Sequence, residues 1–294
     1  MTDQTEQIEP TQQAEPTGQQ LVVPPVPEAP PQPVTPVPAP NNRRVLRAVL
    51  RWTAAVVVFA VAGAGTAYGI TRMERTDVPG LATESDGRWE YPEIVRPPLP
   101  SGRPGPFAEE NTAGSHYADL RRLVLPAPEG ATADKALEGK DGWLATKDFL
   151  AAFESKDDRE TVGALLTDNG LRHVAARGWT TTDGTRTQIY LLQFDTAAVA
   201  EGLEQDNFAS VVAAPYALKG ADQSLMDEDF PTKVAVGNVR RYAYTETKPY
   251  GAEHVRQAYL FSGDVLALVV QSRKGGARTV PFQQTVVLQS QLLG

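Results

Sequence analysis

The chain of 294 residues contains no cysteine and only three histidines. Without thiols there is no disulfide framework, no Cys-ligated zinc, no thiol nucleophile and no lipid anchor on cysteine. No H-E-x-x-H is present, and His116 falls outside the region expected to fold, so a three-histidine metal site is not expected. His173 and His254 read as partly exposed strand residues. No serine stands in a G-x-S-x-G frame, and no glycine-rich loop leads from a strand into a helix. Gly275-Gly276 reads as a turn.

Positive charge is also scarce. The net charge is -8 and the pI about 5.1. Residues 107–294 carry 19 basic and 25 acidic side chains, a net of -6. There is no basic stripe, which argues against nucleic acid as a partner. The same charge would repel an anionic bilayer surface. The acidic run Asp227-Glu228-Asp229, with Asp222 nearby, lacks the alternating D-x-D-x-D-G spacing of a calcium loop and reads as a solvated loop. No Asp/Glu pair can be singled out as facing across a cleft. These absences leave no catalytic signature, no metal site and no cofactor, and the expected role is non-catalytic.

What is present is one long apolar run. Trp52 to Ile70, WTAAVVVFAVAGAGTAYGI, has no charge and is long enough to cross about 30 Å of hydrocarbon as a helix. Every face is apolar, unlike a helix packed on a soluble core. Four arginines precede it (Arg43, Arg44, Arg47, Arg51) and two follow it (Arg72, Arg75). The positive-inside rule then places the N-terminus in the cytoplasm and the C-terminal region outside the cell. A cleaved signal peptide is the rival reading, since Ala60-Val61-Ala62 and Ala62-Gly63-Ala64 are small-residue patterns. The 51 residues before the run are too many for an ordinary n-region, which favours an uncleaved anchor. Gly65 and Gly69 form a G-x-x-x-G pair through which two spans could pack, giving a homodimer; small residues are also common in spans generally.

The first 42 residues hold eleven prolines and no Lys or Arg. Such a segment cannot bury enough apolar surface to fold and reads as a disordered cytoplasmic tail. Pro24 to Pro40 has P-x-x-P spacing, so it serves either as a spacer or as a ligand for an aromatic groove. Residues 43–71 are the basic flank and transmembrane helix, and 72–130 read as an extended Pro/Gly-rich stalk centred on Tyr91 to Phe107. At ~3 Å per residue, such a stalk lifts a domain well clear of the bilayer and into a cell wall.

Residues 131–294 are expected to form an α+β domain, an antiparallel sheet packed against helices. Helices are expected over Thr146 to Glu154 and over Asp158 to Thr167, the second capped by Asp158 and ended by Asn169-Gly170. Leu171 to Trp179 and Thr185 to Phe194 read as strands around a Thr182-Asp183-Gly184 turn. Ile189 and Leu191 lie on one face of the second strand and Tyr190, Leu192 and Phe194 on the other, so it is expected to be central and covered on both sides. Asp195 or Thr196 caps a helix from Ala197 to Glu204, and 205–236 read as irregular. Val239 to Glu246, His254 to Phe261 and Asp264 to Ser272 read as strands, with Ser262-Gly263 as a hairpin loop. Pro281 opens a closing helix with Phe282, Val286 and Leu293 on one face.

Aromatic and arginine side chains mark the candidate interaction surface. Arg177 and Trp179 alternate on one strand, and Arg240, Tyr242 and Tyr244 share a face of another. Tyr, Trp and Arg are the residue types that anchor interfaces. The alternative is that these aromatics fill the core while the arginines reach out at its edges.

With its R-G-W-x-x-x-D-G-T hairpin (Arg177 to Thr185) and antiparallel strands ending in a helix, the layout resembles uncharacterised actinobacterial single-pass membrane proteins. These have a Pro-rich tail and a cysteine-free outer α+β domain. The folded region is similar to extracytoplasmic sensor domains of actinobacterial membrane kinases and related lipoproteins. It lacks the cysteine pairs usual in such sensors and any kinase domain, so the resemblance transfers no site residue. It implies a binding or sensor-like domain recognising a protein or a cell-envelope component. A cell-envelope hydrolase with an unrecognised site, and a scaffold working through its tail, are the other readings.

Overall fold

A computed structural model describes residues 42–72, 85–221, 223–231 and 236–294; the side chains of 42 and 69–72 are excepted. The proline-rich tail up to residue 41 and the start of the expected stalk, 73–84, lie outside the described residues, as does Asp222. The chain divides into two units, Met1–Val78 and Pro79–Gly294.

Among the described residues the first unit contains one helix, α1 (Asn42–Arg72), which takes in the arginine flank as well as the apolar run. Within Arg43–Tyr68 an 18-residue window reaches a mean hydropathy of 1.9 and none of that window is buried, so the helix is long and apolar enough to cross a membrane. The hydroxyls of Thr53 and Thr66 donate to the carbonyls of Val49 and Ala62, four residues back. The only polar side chains between Trp52 and Tyr68 thereby satisfy themselves inside the helix, as hydrocarbon requires. Around Gly65 a Cβ would meet nothing within 4 Å. Gly69 follows one turn later in α1.

The second unit is α+β. Its strands are β1 (Thr132–Ala133), β2 (His173–Thr180), β3 (Arg186–Gln193), β4 (Leu225–Met226), β5 (Arg240–Thr245), β6 (His254–Ser262) and β7 (Val265–Arg273). They form one sheet in the order β1-β2-β3-β7-β6-β5-β4, with every pair antiparallel. The helices are α2 (Leu120–Leu123), α3 (Thr146–Leu150), α4 (Lys156–Asp168), α5 (Ala197–Leu203) and α6 (Thr279–Leu293). A 3-10 turn spans Lys135–Leu137 and a π-helical turn Glu204–Phe208.

Period-two alternation explains why both faces need cover. Tyr190 and Leu192 on β3, and Leu266 and Leu268 on β7, point to one face, where α3, α4, α5 and Phe208 pack. Ile189 and Leu191, with Val265, Ala267 and Val269, point to the other, where α6 and α2 pack. The expectation of a central β3 covered on both sides therefore holds. The two hairpin-helix units send their helices to opposite faces, α5 to the first and α6 to the second.

Element ends shift in instructive ways. The N-cap of α4 is Ser155, whose Oγ accepts from the Asp158 N–H at 2.9 Å, so the helix starts one turn earlier than expected. Thr196, rather than Asp195, caps α5. The hairpin turn is Gly263-Asp264, one residue later than expected, because Ser262 still pairs with Val265. The region 205–236, read as irregular, contributes the rest of the π-helical turn and the edge strand β4.

The main correction concerns the stalk. From residue 85 onward it is not a free spacer but a strap lying on the α6 face. Leu120, Leu123, Val124 and Leu125 are buried in that core, with Tyr91 and Ile94 packed against it. The domain thus begins well before 131. The strap has few strand or helix signals, and its docking relies on glutamines of α6 acting as adaptors. The Gln284 amide accepts from the Trp89 N–H and donates to the Trp89 carbonyl, both at 2.8 Å. Gln289 does the same for Leu125 N–H and Leu123 carbonyl, both at 2.9 Å. Each adaptor satisfies one backbone donor and one acceptor that no strand pairs.

His116, expected outside the fold, locks the strap. Its Nδ1 lies 2.7 Å from Asp264 Oδ1 and its Nε2 donates to the Leu293 carbonyl at 2.9 Å. One proton therefore lies between ring and carboxylate. Asp264 also accepts from the His116 N–H and from Gln193 Nε2. Both side chains are almost wholly buried. Beside them the strap touches the hairpin turn closely: a Cβ on Gly263, at φ +51°, would fall 2.3 Å from the Gly114 carbonyl oxygen. Replacing His116 with Ala leaves Asp264 buried without its partner and is expected to destabilise the domain by about 3 kcal/mol. Urea unfolding of the full chain in detergent micelles measures this; an unchanged midpoint would show that the pair does not hold the strap.

Candidate functional site

The residues singled out from the sequence do not form one surface. Trp179 is fully buried on the α6 face. Arg177, on the same side of β2, donates from Nη1 to the Val124 carbonyl of the strap at 2.7 Å. Tyr244 is fully buried on the opposite face, and its hydroxyl donates to the Ser210 carbonyl at 2.7 Å. Arg240 and Tyr242 lie on that opposite face and converge on one carboxylate. Glu204, buried at the start of the π-helical turn, accepts from Arg240 Nε at 2.6 Å, from Arg240 Nη2 and from the Tyr242 hydroxyl at 2.9 Å. The five residues therefore belong to two faces of the sheet, and the aromatics serve as core or as buried hydrogen-bond donors. Trp179 and Tyr244 are interior, Tyr242 is half-buried, and both arginines are hydrogen-bonded. Sequence alternation identified each face but could not show that a strap covers one and a helix the other.

The other sequence candidates are likewise engaged. Asp227 of the acidic run accepts from Arg256 Nη1 at 2.6 Å. His173 stacks on Trp143, with ring centroids 4.5 Å apart. His254 donates from Nε2 to the Glu246 carbonyl and accepts at Nδ1 from the Ala277 N–H. Among the described residues no group of three or more His, Asp or Glu is placed to hold a metal.

One of several open clefts, of about 410 Å³, lies over the sheet. Its floor is the end of the three central strands. Arg186, Gln188 and Tyr190 alternate along one face of β3, and opposite them Ser272 and Val270 stand on β7 in register with Arg186 and Gln188. Val255 of β6 extends the floor beside Ser272. One wall is α3 and the turn that follows it, with Asp148, Ala151 and Ala152. The other is built from Leu218 to Gly220 and from Ala252-Glu253. These two loops touch: a Cβ on Gly251 would fall 2.8 Å from the Gly220 carbonyl oxygen. Leu137 closes the β2 side, and it reaches there because Gly178 has no side chain; a Cβ would fall 2.5 Å from Leu137 Cδ1.

Most polar groups of this cleft lack partners within the protein. Among the described residues, the side chains of Arg186, Lys219 and Asp148 make no ion pair or hydrogen bond, and neither do the Gln188 amide and the Tyr190 hydroxyl. Tyr190 is nevertheless 98 % buried, its ring held edge-on by Phe149 at 5.3 Å, and burial pushes its phenol well above the ordinary range. On β6, next to the floor, Gln257 Oε1 and Tyr259 Oη are buried without partners. Arg186, Lys219 and Asp148 are exposed and Gln188 is half-buried, so their polar atoms face solvent and are available to an occupant. Only Ser272 is engaged, donating to Glu253 Oε2 at 2.6 Å. That pair lacks a third group orienting the carboxylate as a base, in contrast to a catalytic triad. The cleft is thus equipped to hydrogen-bond and charge-pair an occupant.

Sequence reading missed this site because its residues come from six separated segments, and no local spacing joins Asp148, Arg186, Lys219, Glu253 and Ser272. Its one legible signal was the polar start of an otherwise apolar strand, Arg186 and Gln188 before Tyr190. No protein-family model matches the chain, and no curated protein matches it.

Two outcomes follow. Trp179→Ala should cost about 3–5 kcal/mol of stability, as for any large buried aromatic; a stable variant that has lost only binding would contradict its core role. Burial first, and then the hydrogen bond to the Glu204 carboxylate, push the Tyr242 phenol from 10.0 up to about 12. The neutral phenol thus contributes stability that is fully present below pH 10 and lost as the pH rises towards about 12. Tyr242→Phe should remove one late-titrating phenolate from the absorbance titration at high pH and flatten the alkaline loss of stability.

Proposed function

We propose that this protein is a single-pass membrane protein, N-terminus inside, whose outer α+β domain binds a protein or cell-envelope component without transforming it. The membrane part of this reading is supported by α1, long and apolar enough to span. Orientation rests on the arginine bias, four before the run and two after. The binding part rests on one observation: the cleft combines unpartnered charged and polar side chains with a floor of packed sheet. A rigid floor with open hydrogen-bonding groups is what a preformed ligand site needs. The resemblance to sensor domains of actinobacterial membrane proteins agrees with this reading.

A second reading, envelope hydrolase, is favoured by the presence of two carboxylates, Asp148 and Glu253, in the same cleft. Glu253 is already engaged by Ser272, which makes it a poor free acid or base. The Pro24 to Pro40 tail remains the basis of a third, scaffolding role. Dimerisation through Gly65 and Gly69 is compatible with any of these.

Because the chain has no cysteine, single introduced cysteines report topology directly. Thr182→Cys should react with a membrane-impermeant maleimide on intact cells, and Thr17→Cys only after lysis; the reverse pattern would overturn the orientation. Function is separated by crosslinking in intact cells with three proteins: the full chain, the chain without residues 1–42, and Ala152→Trp, which fills the cleft. Loss of partners only with Ala152→Trp supports the binding domain. Loss only with the tail deletion makes the tail the working part. Turnover of envelope fragments by the purified full chain, abolished by Glu253→Gln, would establish the hydrolase instead.

A further inference from the structure

We infer that the cleft takes a short peptide with a free carboxyl terminus, lying across the β3-β7-β6 floor. This rests on the binding reading above and names the class of occupant. Charge is the first argument. Of the four charged side chains at the cleft, Glu253 is engaged by Ser272, while Arg186, Lys219 and Asp148 are unpartnered. Two open cations against one open anion favour an occupant that brings a carboxylate. A guanidinium holds a carboxylate through two parallel N–H bonds, and Lys219 adds a second positive charge to the same cleft. Asp148, on the α3 wall, is left for the ammonium end of the same peptide.

Hydrogen bonding is the second argument. A peptide group offers one donor and one acceptor. The Gln188 amide offers the complementary acceptor and donor, and the Tyr190 hydroxyl does either. Both are open on the same face of β3, two residues apart.

Shape and polarity are the third. Leu137, Leu218, Val255 and Val270 lie between the charges and suit small apolar side chains. A sugar would find no exposed ring to stack on, since Tyr190, the aromatic of the cleft, is buried and packed against Phe149. A neutral glycan would also leave Arg186 and Lys219 without counter-charge.

The test uses the full chain in detergent micelles, titrated calorimetrically with trialanine, trialanine amide and the neutral sugar chitotriose. Trialanine is expected to bind saturably. Binding should weaken at least tenfold for the amide and at least tenfold for Arg186→Ala, with a smaller loss for Gln188→Ala. Arg186 is exposed at the edge of the cleft, so its removal leaves the fold, checked by circular dichroism, unchanged. Equal binding of acid and amide, or an unaffected Arg186→Ala, overturns the carboxylate assignment. Chitotriose binding in place of trialanine, lost in Ala152→Trp, overturns the peptide while the cleft stands as a binding site. If no probe binds and Ala152→Trp still costs the protein its partners in cells, the peptide inference falls and the binding reading survives. If no probe binds and Ala152→Trp changes nothing, both fall.

Discussion

A buried histidine–carboxylate pair closes this fold. His116 and Asp264 lie at the point where the strap, the β6-β7 turn and the C-terminal end of α6 meet. The pair is expensive to bury alone and is stabilised by having every polar atom answered: the His116 ring by Asp264 and the Leu293 carbonyl, Asp264 by the His116 N–H and by Gln193. It needs glycine at both positions beside it, since a Cβ on Gly263 would meet the Gly114 carbonyl and one on Gly114 would meet Ala197. The consequence is that one face of the sheet is covered by residues that precede the first strand.

That asymmetry decides where function can lie. On the α6 face a helix and a strap fill the space, and glutamine adaptors answer the strap's backbone groups. On the other face three short helices and a loop cover the middle of the sheet. They stop short of the end where β3 begins, and the cleft is the uncovered remainder. The same strands that are apolar at their centres become polar there, Arg186 and Gln188 on β3 and Ser272 on β7. Core and site are therefore one continuous surface, and the rigidity of the site comes from the burial of Tyr190, Leu192 and Leu268 further along it.

Interfaces are rich in Trp, Tyr and Arg, but so are cores and their margins, and composition does not separate the two. Trp179 and Tyr244 are interior, and Arg177 and Arg240 are partnered, the first by a strap carbonyl and the second by a buried glutamate. Within a strand the alternation was readable; whether a face was covered depended on segments far away in the chain. His116 illustrates the same limit: in a proline- and glycine-rich stretch without periodicity, nothing local distinguishes a docked strap from a free stalk.

The sequence by itself determined the parts that rest on local rules. Uninterrupted apolar residues bounded by arginines mark α1, because a spanning helix needs length and hydrophobicity and nothing else. Period-two runs and turn residues located the five long strands and the central position of β3, because burial on two faces leaves two apolar sets in one strand; the two-residue edge strands β1 and β4 carry no such pattern. Only the tertiary structure decided which segments cover each face, where the domain begins and where a cleft is left open. Those are set by contacts between residues distant in the chain, His116 with Asp264 and Gln289 with the backbone at Leu123 and Leu125, for which no local spacing exists.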